Sequence, residues 1–241
     1  MFSNVLIGLC ALLTGLAKTG LPGLGVLVVP LMAMAVPPRE STGMLLPMLL
    51  VGDVFAVTYY HRHAVWSHLW KLLPWAFLGI VIGWLALGRV NDTQLRIFVG
   101  VVVLALLVLT WVRDRTAALE HLPHALWFGA VLGLLAGITT MMANAAGPIM
   151  VAYLLAMRLP KNEFIGTGAW FFLIVNAAKV PFSVHLHLIR LDSLWINLFC
   201  VPLILLGCWL GLKLLRRIPE KLFARLVQAL AAIAAVKLLW G

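Results

Sequence analysis

The sequence predicts an all-α, polytopic membrane protein of two homologous halves, each opening with a broken or re-entrant helical segment followed by three spanning helices. Three observations predict this. Hydrophobic residues fill 63% of 241 positions and charged residues 11%, with mean hydropathy +1.07, whereas a soluble domain carries roughly 25% charge. Charged punctuation divides the chain into eight apolar segments. Finally, a set of glycine, proline and polar landmarks recurs in order along the chain.

The segments run 3–36, 42–60, 70–88, 95–112, 124–157, 164–184, 194–215 and 222–240. Six lie near the ~20 residues that a spanning helix needs. The first and fifth hold 34 residues each. At ~1.5 Å per residue each would make a rod of roughly 50 Å, against a hydrocarbon core of about 30 Å. Both carry breakers near the middle, "TGLPGLG" in the first and "NAAGP" in the fifth. Each is therefore expected to be two short helices joined by an irregular turn.

The repeat is read from paired landmarks. Gly15 in "LLTGL" matches Gly137 in "LLAGI" at an offset of 122, as Pro38 and Arg39 match Pro160 and Lys161. Asp53 matches Asn176 at 123, "HRH" (61–63) matches "HLH" (185–187) at 124, and "PWAFLGIVIG" (74–83) matches "PLILLGCWLG" (202–211) at 128. The offset grows only at connecting loops, as small insertions would make it. Residues 1–115 are expected to form the first repeat and 120–241 the second, within one integral membrane unit. Such repeats are common in secondary transporters.

If the long segments cross fully the halves are parallel repeats, and if each folds back as a hairpin they are inverted. The hairpin arrangement puts eleven Lys/Arg on the cytoplasmic side and five opposite, and straight crossing splits them ten to six. The positive-inside rule separates the two arrangements little. The central position of the breaks favours inversion.

The net charge of +10 comes from basic residues spread thinly over short loops such as "VRDRT" and "LLRRIPEK". That is topology-setting charge rather than a nucleic-acid footprint. Cys10, Cys200 and Cys208 lie in apolar runs without paired spacing and read as packing residues. "MFSNVLIG" lacks the positive start of a cleaved leader, so none is expected. No "GxxxxGK[ST]" motif is present for ATP use. An intramembrane enzyme would need clustered acids, bases or metal ligands, and Asp53 is the one acid inside an apolar segment. No enzyme activity and no cofactor are expected.

Lys18 and Lys179 are the basic residues placed within apolar segments rather than at their ends. An ionised lysine near the bilayer centre costs roughly 2.5–3.5 kcal/mol on the insertion scale, so a compensating acid, cavity or anionic substrate is expected, unless the side chains snorkel to the interface. Two cations and one anion leave a surplus of +1, suited to a monovalent anion. The breaks add a second anion-binding element, because an irregular turn frees backbone N–H groups at the positive N-terminus of the next half-helix.

In the first break Thr19 or Gly20 is a candidate cap, Pro22 suits the first turn, and Gly23 and Gly25 permit close backbone approach. In the second, Asn144 is the candidate cap, followed by Gly147 and Pro148. The same small residues also serve plain helix packing. Thr139 and Thr140 stand opposite Lys18 in the repeat and offer hydroxyls either to substrate oxygens or back to helix carbonyls. Asp53 is either a lysine's counter-ion or the group that couples transport to protons, and Asn176 is its neutral equivalent. The candidate substrate-binding set is thus Lys18, Thr19, Gly20, Gly23, Gly25, Thr139, Thr140, Asn144, Gly147, Asn176 and Lys179, with Asp53 for coupling or charge balance. The histidine pairs at segment ends lack a cysteine or acid to complete a shell, so no metal site is expected. Tryptophans such as Trp66, Trp70, Trp111, Trp195 and Trp240 read as an interfacial belt.

Several stretches together resemble the TauE/SafE sulfite-exporter family of bacterial membrane proteins. They are "GLAKTGLPGLGVLVVP" (15–30), "PWAFLGIVIG" (74–83), "LRIFVG" (95–100), "GPIMVAYLLAMRLP" (147–160) and "PLILLGCWLG" (202–211). The resemblance covers essentially the whole chain, and the ordered repetition is its specific part; "GLPGLG" departs from the adjacent glycines frequent in that family. It implies a multi-pass protein of the bacterial inner membrane that exports a small anion such as sulfite, sulfoacetate or another organosulfonate. The expected partners are the anion, protons as coupling ion and membrane lipid, with no nucleic acid and with room for a homodimer. The alternatives are a small-anion channel, or a carrier for another small carboxylate or sulfur-containing anion.

Overall fold

The computed structural model describes residues 2–20, 24–91, 126–157 and 159–214, together with positions 93, 94, 97, 100, 101, 104, 105, 108, 229, 233 and 236. The expected segments 95–112 and 222–240 fall largely outside the described residues, as do Pro22 and Gly23. No strand occurs among the described residues.

Both overlong segments divide. The first becomes α1 (Phe2–Thr19) and α2 (Gly25–Ala35), and the fifth becomes α5 (Leu126–Ala143) and α6 (Gly147–Ala156). Between them lie α3 (Pro38–Tyr60), a 3₁₀ turn (His61–His63) and α4 (Trp66–Leu87); α7 (Lys161–His185) and α8 (Leu191–Leu214) follow. By length and composition the stretches Pro38–His63, Trp66–Leu87, Asn162–His185 and Leu191–Lys213 can each cross a bilayer, while Ser3–Thr19 and Trp127–Ala143 are shorter apolar helices. Pro30, Pro47, Pro74, Pro181 and Pro202 all sit inside helices, a placement that membrane helices tolerate.

α3 and α7 start alike, each on a proline N-cap, Pro37 and Pro160, with Glu40 and Glu163 in the first turn. These pairs stand at the same offset as Asp53 and Asn176. Cap geometry therefore aligns the two helices one residue beyond the 122 obtained by matching Pro38 with Pro160.

Glycines set the packing. In α1, Gly15 lies against the backbone of Ile204 and Cys208 in α8, and Gly207 of α8 lies against Leu12. In α5, Gly137 lies against Ala76 of α4, and Gly79 of α4 against Leu134. Early residues meet early and late meet late (Gly20 with Gly211, Gly83 with Met141), so α1 runs parallel to α8 and α4 parallel to α5. α1 thus packs on α8, and α5 on α4. α3 and α7 pack differently. Gly43, near the start of α3, touches Leu188 after the end of α7, whereas Gly166, near the start of α7, touches Tyr60 and His63 at the end of α3. These two helices are antiparallel.

Among the described residues two large apolar cores form, beside a small cluster of Ala56, Val57 and Ala169. One gathers Leu69, Ile80, Met141, Ile149 and Phe171 from α4 to α7. The other joins Ile7, Met32, Met48, Ile204 and the three cysteines from α1, α2, α3 and α8. Trp70, Trp195 and Phe199 point outward, while Trp111 and Trp240 lie outside the described residues. The "HRH" turn and the "HLH" stretch fall at the ends of two antiparallel helices, hence at opposite ends of the bundle.

A candidate anion site between the two breaks

Lys18 sits in the last turn of α1, where the helix dipole favours a cation. Its side chain crosses α3 beside Gly52, where a Cβ would come within 3.0 Å of the lysine Cγ. Its Nζ meets Asp53 Oδ1 at 2.6 Å and stands 4.4 Å from the centroid of the Phe172 ring. Asp53 and Asn176, matched in the sequence at an offset of 123, lie near the middles of the antiparallel pair α3 and α7. They touch: Asn176 Nδ2 donates to Asp53 Oδ2 at 2.6 Å.

Lys179 lies one turn beyond Asn176 on α7, and both are buried. Its ammonium donates to Asn176 Oδ1 (3.0 Å), Thr140 Oγ1 (3.0 Å) and Asn144 Oδ1 (2.6 Å). An ammonium has three donors, and all three are engaged. Burying an unsatisfied charge in this apolar surround would be costly; the ring of oxygens is what makes the position tolerable.

Asn144 differs from the expected helix start. It has φ 52°, and its N–H donates to Thr140 O at 3.0 Å, so it closes the C-terminal end of α5 instead of capping α6. Asn tolerates the left-handed region better than most residues. From the turn its side chain reaches α3 and α7, where Nδ2 donates to Thr42 O at 3.0 Å and Oδ1 receives Lys179.

The structure therefore gathers Lys18, Asp53, Asn176, Lys179, Thr140 and Asn144 into one buried polar chain. Thr19 stays apart, because its hydroxyl donates its one hydrogen to Cys208 O at 2.8 Å, with Gly15 O at 3.2 Å the alternative acceptor, and fastens α1 to α8. Thr139 donates back to Leu135 O at 2.8 Å, a bond within its own helix. Gly25 opens α2, and a Cβ there meets nothing within 4 Å. Gly147 opens α6, and Gly20 packs on Gly211.

A small cavity of about 50 Å³ opens on Lys18 and Gly20, walled by Met150, Leu154, Phe164 and Phe172 among others. By the measure of roughly 10–15 Å³ per water it holds a few waters. Sequence reasoning missed Gly52, Thr42 and Phe172. Only the pairing of α3 with α1, α5 and α7 gives them a role, and nothing local marks them.

No three His, Cys, Asp or Glu residues converge as a metal site among the described residues. A family model described as Sulfite exporter TauE/SafE matches residues 7–238. Neither the curated proteins nor the solved structures give a match.

Proposed function

The chain belongs to the sulfite exporter TauE/SafE family, which makes it a multi-pass membrane transporter of sulfite or a related anion, and on that premise we propose that it is a secondary transporter working by alternating access. The anion binds at Lys18, between the two broken segments and near the bilayer midplane. Candidate cargoes are sulfite, sulfoacetate and other short organosulfonates, exported across a bacterial inner membrane.

One observation carries this reading. The two lysines and one aspartate that stand in apolar segments converge in a single buried chain of contacts, where the end of α1 and the Asn144 turn meet α3 and α7. A cavity reaches that chain at Lys18. Intramembrane ionisable groups that face the bundle interior mark ion and substrate pathways.

The packing directions support inverted repeats. Short connections make α3 antiparallel to α4, and α7 antiparallel to α8. Since α3 is also antiparallel to α7, α4 opposes α8. α1 follows α8 and α5 follows α4, so the opening helices oppose each other as well. α1, α3 and α4 then each run against their counterparts α5, α7 and α8, which is the relation that folded-back opening segments produce and straight crossings do not. It matches the organisation of transporters whose substrate sits at the repeat interface.

The test is uptake of sulfite or a short sulfonate into proteoliposomes holding the full chain. Lys18→Ala alone strands a buried carboxylate, which is strongly destabilising. The double variant Lys18→Ala/Asp53→Asn removes both charges, is expected to stay folded and is expected to lose transport. Transport at the wild-type rate by that folded variant would overturn the assignment.

A further inference from the structure

The ionisable groups of the cluster stand in unlike settings. Lys179 commits every ammonium donor to Thr140, Asn144 and Asn176. Both amide oxygens are turned toward it because the opposite end of each amide donates elsewhere, Asn144 to Thr42 O and Asn176 to Asp53 Oδ2. That leaves it no donor for a ligand. Lys18 instead has one carboxylate oxygen as its polar partner among the described residues, lies over an aromatic ring, and borders the cavity. Asp53 pairs with the Lys18 ammonium through Oδ1 and accepts from Asn176 at Oδ2, an arrangement that fits a carboxylate. Asn176 stands between Asp53 and Lys179 and holds both, so the second lysine is bridged to the acid through an amide.

Resting on the anion-transport reading above, and narrowing its candidate cargoes to the monoanionic ones, we infer that this cluster selects for a monoanion by charge balance, with Lys179 setting a surplus that the ligand neutralises and Lys18 docking it. Two ammonium groups and one carboxylate sum to +1. A monoanion at Lys18 brings the buried cluster to neutrality, whereas a dianion leaves it at −1 in surroundings that penalise unbalanced charge. Lys179 acts through the field and not by contact. Asn176 is the specificity-determining position: an aspartate there, as in the first half, would fill the one vacancy with a resident anion. The neutral amide at the repeat equivalent of Asp53 thus keeps a place for the cargo.

Because Asp and Asn are close in shape, the charge can be moved without altering the packing. Purified full-length protein in detergent is titrated calorimetrically with methanesulfonate as monoanion and sulfoacetate as dianion. The wild type is expected to prefer methanesulfonate by about tenfold or more, the scale of one buried unit charge. Asp53→Asn raises the surplus to +2 and shifts preference to sulfoacetate. Asn176→Asp cancels the surplus and weakens methanesulfonate binding by about tenfold or more. The swap Asp53→Asn/Asn176→Asp restores +1 and with it the monoanion preference, which a merely structural role for these residues would not do.

An unchanged preference in Asp53→Asn, or a swap variant that binds no better than Asn176→Asp, overturns the charge-balance inference while leaving the site in place. If Asn176→Asp fails to fold, Asp53→Asn alone decides. A folded wild type that binds neither probe overturns the site reading itself.

Discussion

A residue with a Cβ held in the left-handed region costs roughly 1–2 kcal/mol, and Asn144 holds it at φ 52° because its side chain is needed on both sides of the turn. The amide ties α5 to Lys179 of α7 and to Thr42 of α3. Asn144→Gly keeps the backbone and drops both bonds, for an expected loss of about 2–4 kcal/mol, since one of them involves a charge. Asn144→Ala drops the same bonds and keeps the strain, so it should be less stable again by about 1 kcal/mol. Denaturant melts of the three proteins in detergent check the order, and equal stability would remove Asn144 from the network. At this scale the sequence is legible where chemistry is out of place: Lys18, Lys179 and Asp53 stand out as charges in apolar runs. Asn176 follows from its repeat position, and its spacing from Lys179 puts both on one helix face. Thr140 and Thr139 look alike in sequence, and only the rotation of α5 against α7 tells the site hydroxyl from the one that bonds its own helix. Thr19 was ambiguous for a related reason, since a hydroxyl among small residues serves equally in packing or in a site.

Helix pairing in lipid gains little from apolar burial, because lipid tails are as apolar as leucine, so close backbone approach carries it. Gly15 against α8 and Gly137 against α4 are the two clearest cases, and they occupy equivalent repeat positions. Adding a methyl at either forces the backbones apart, at about 1–3 kcal/mol by the cost of overpacking. Gly15→Ala and Gly137→Ala should therefore lower the thermal midpoint by similar amounts. Gly25→Ala, where a Cβ meets nothing, should change it little. A Gly25 effect as large as the other two would separate these glycines from helix contact. The broken elements were readable from length alone, because 34 apolar residues exceed the membrane and the breakers fix where the excess is taken up. The sequence match of Pro38 with Pro160 and the cap match of Pro37 with Pro160 set α3 against α7 at offsets one residue apart. The paired prolines mislead by one place, because the cap that counts is Pro37, whose backbone begins the helix, and not Pro38 inside it.

For the whole molecule, inversion has a consequence that can be labelled chemically. The turn after α3 and the start of α8 lie at opposite ends of antiparallel helices, so they emerge on opposite membrane faces if the halves are inverted. The hairpin arrangement also gives the larger excess of basic residues on one face, eleven against five, with Arg62 on the richer side and Arg190 on the poorer. By the positive-inside rule the richer face is cytoplasmic. Cysteines introduced as His63→Cys and Asp192→Cys replace exposed residues, and the native Cys10, Cys200 and Cys208 are buried, so a membrane-impermeant maleimide reports the new thiols. In intact cells Asp192→Cys should label and His63→Cys should not. Permeabilisation should expose His63→Cys. Labelling of both from the same side would require α3 and α7 to cross in one direction, and the contact of Gly43 with Leu188 would then be incompatible with that of Gly166 with His63. Opposite labelling would place the Asp53–Asn176 contact, formed by equivalent residues of two opposed helices, near a pseudo-two-fold axis. A ligand held there meets the same framework from either face, as alternating access demands. The substitution of Asn for Asp then breaks that symmetry in charge and in the donor that joins the two residues.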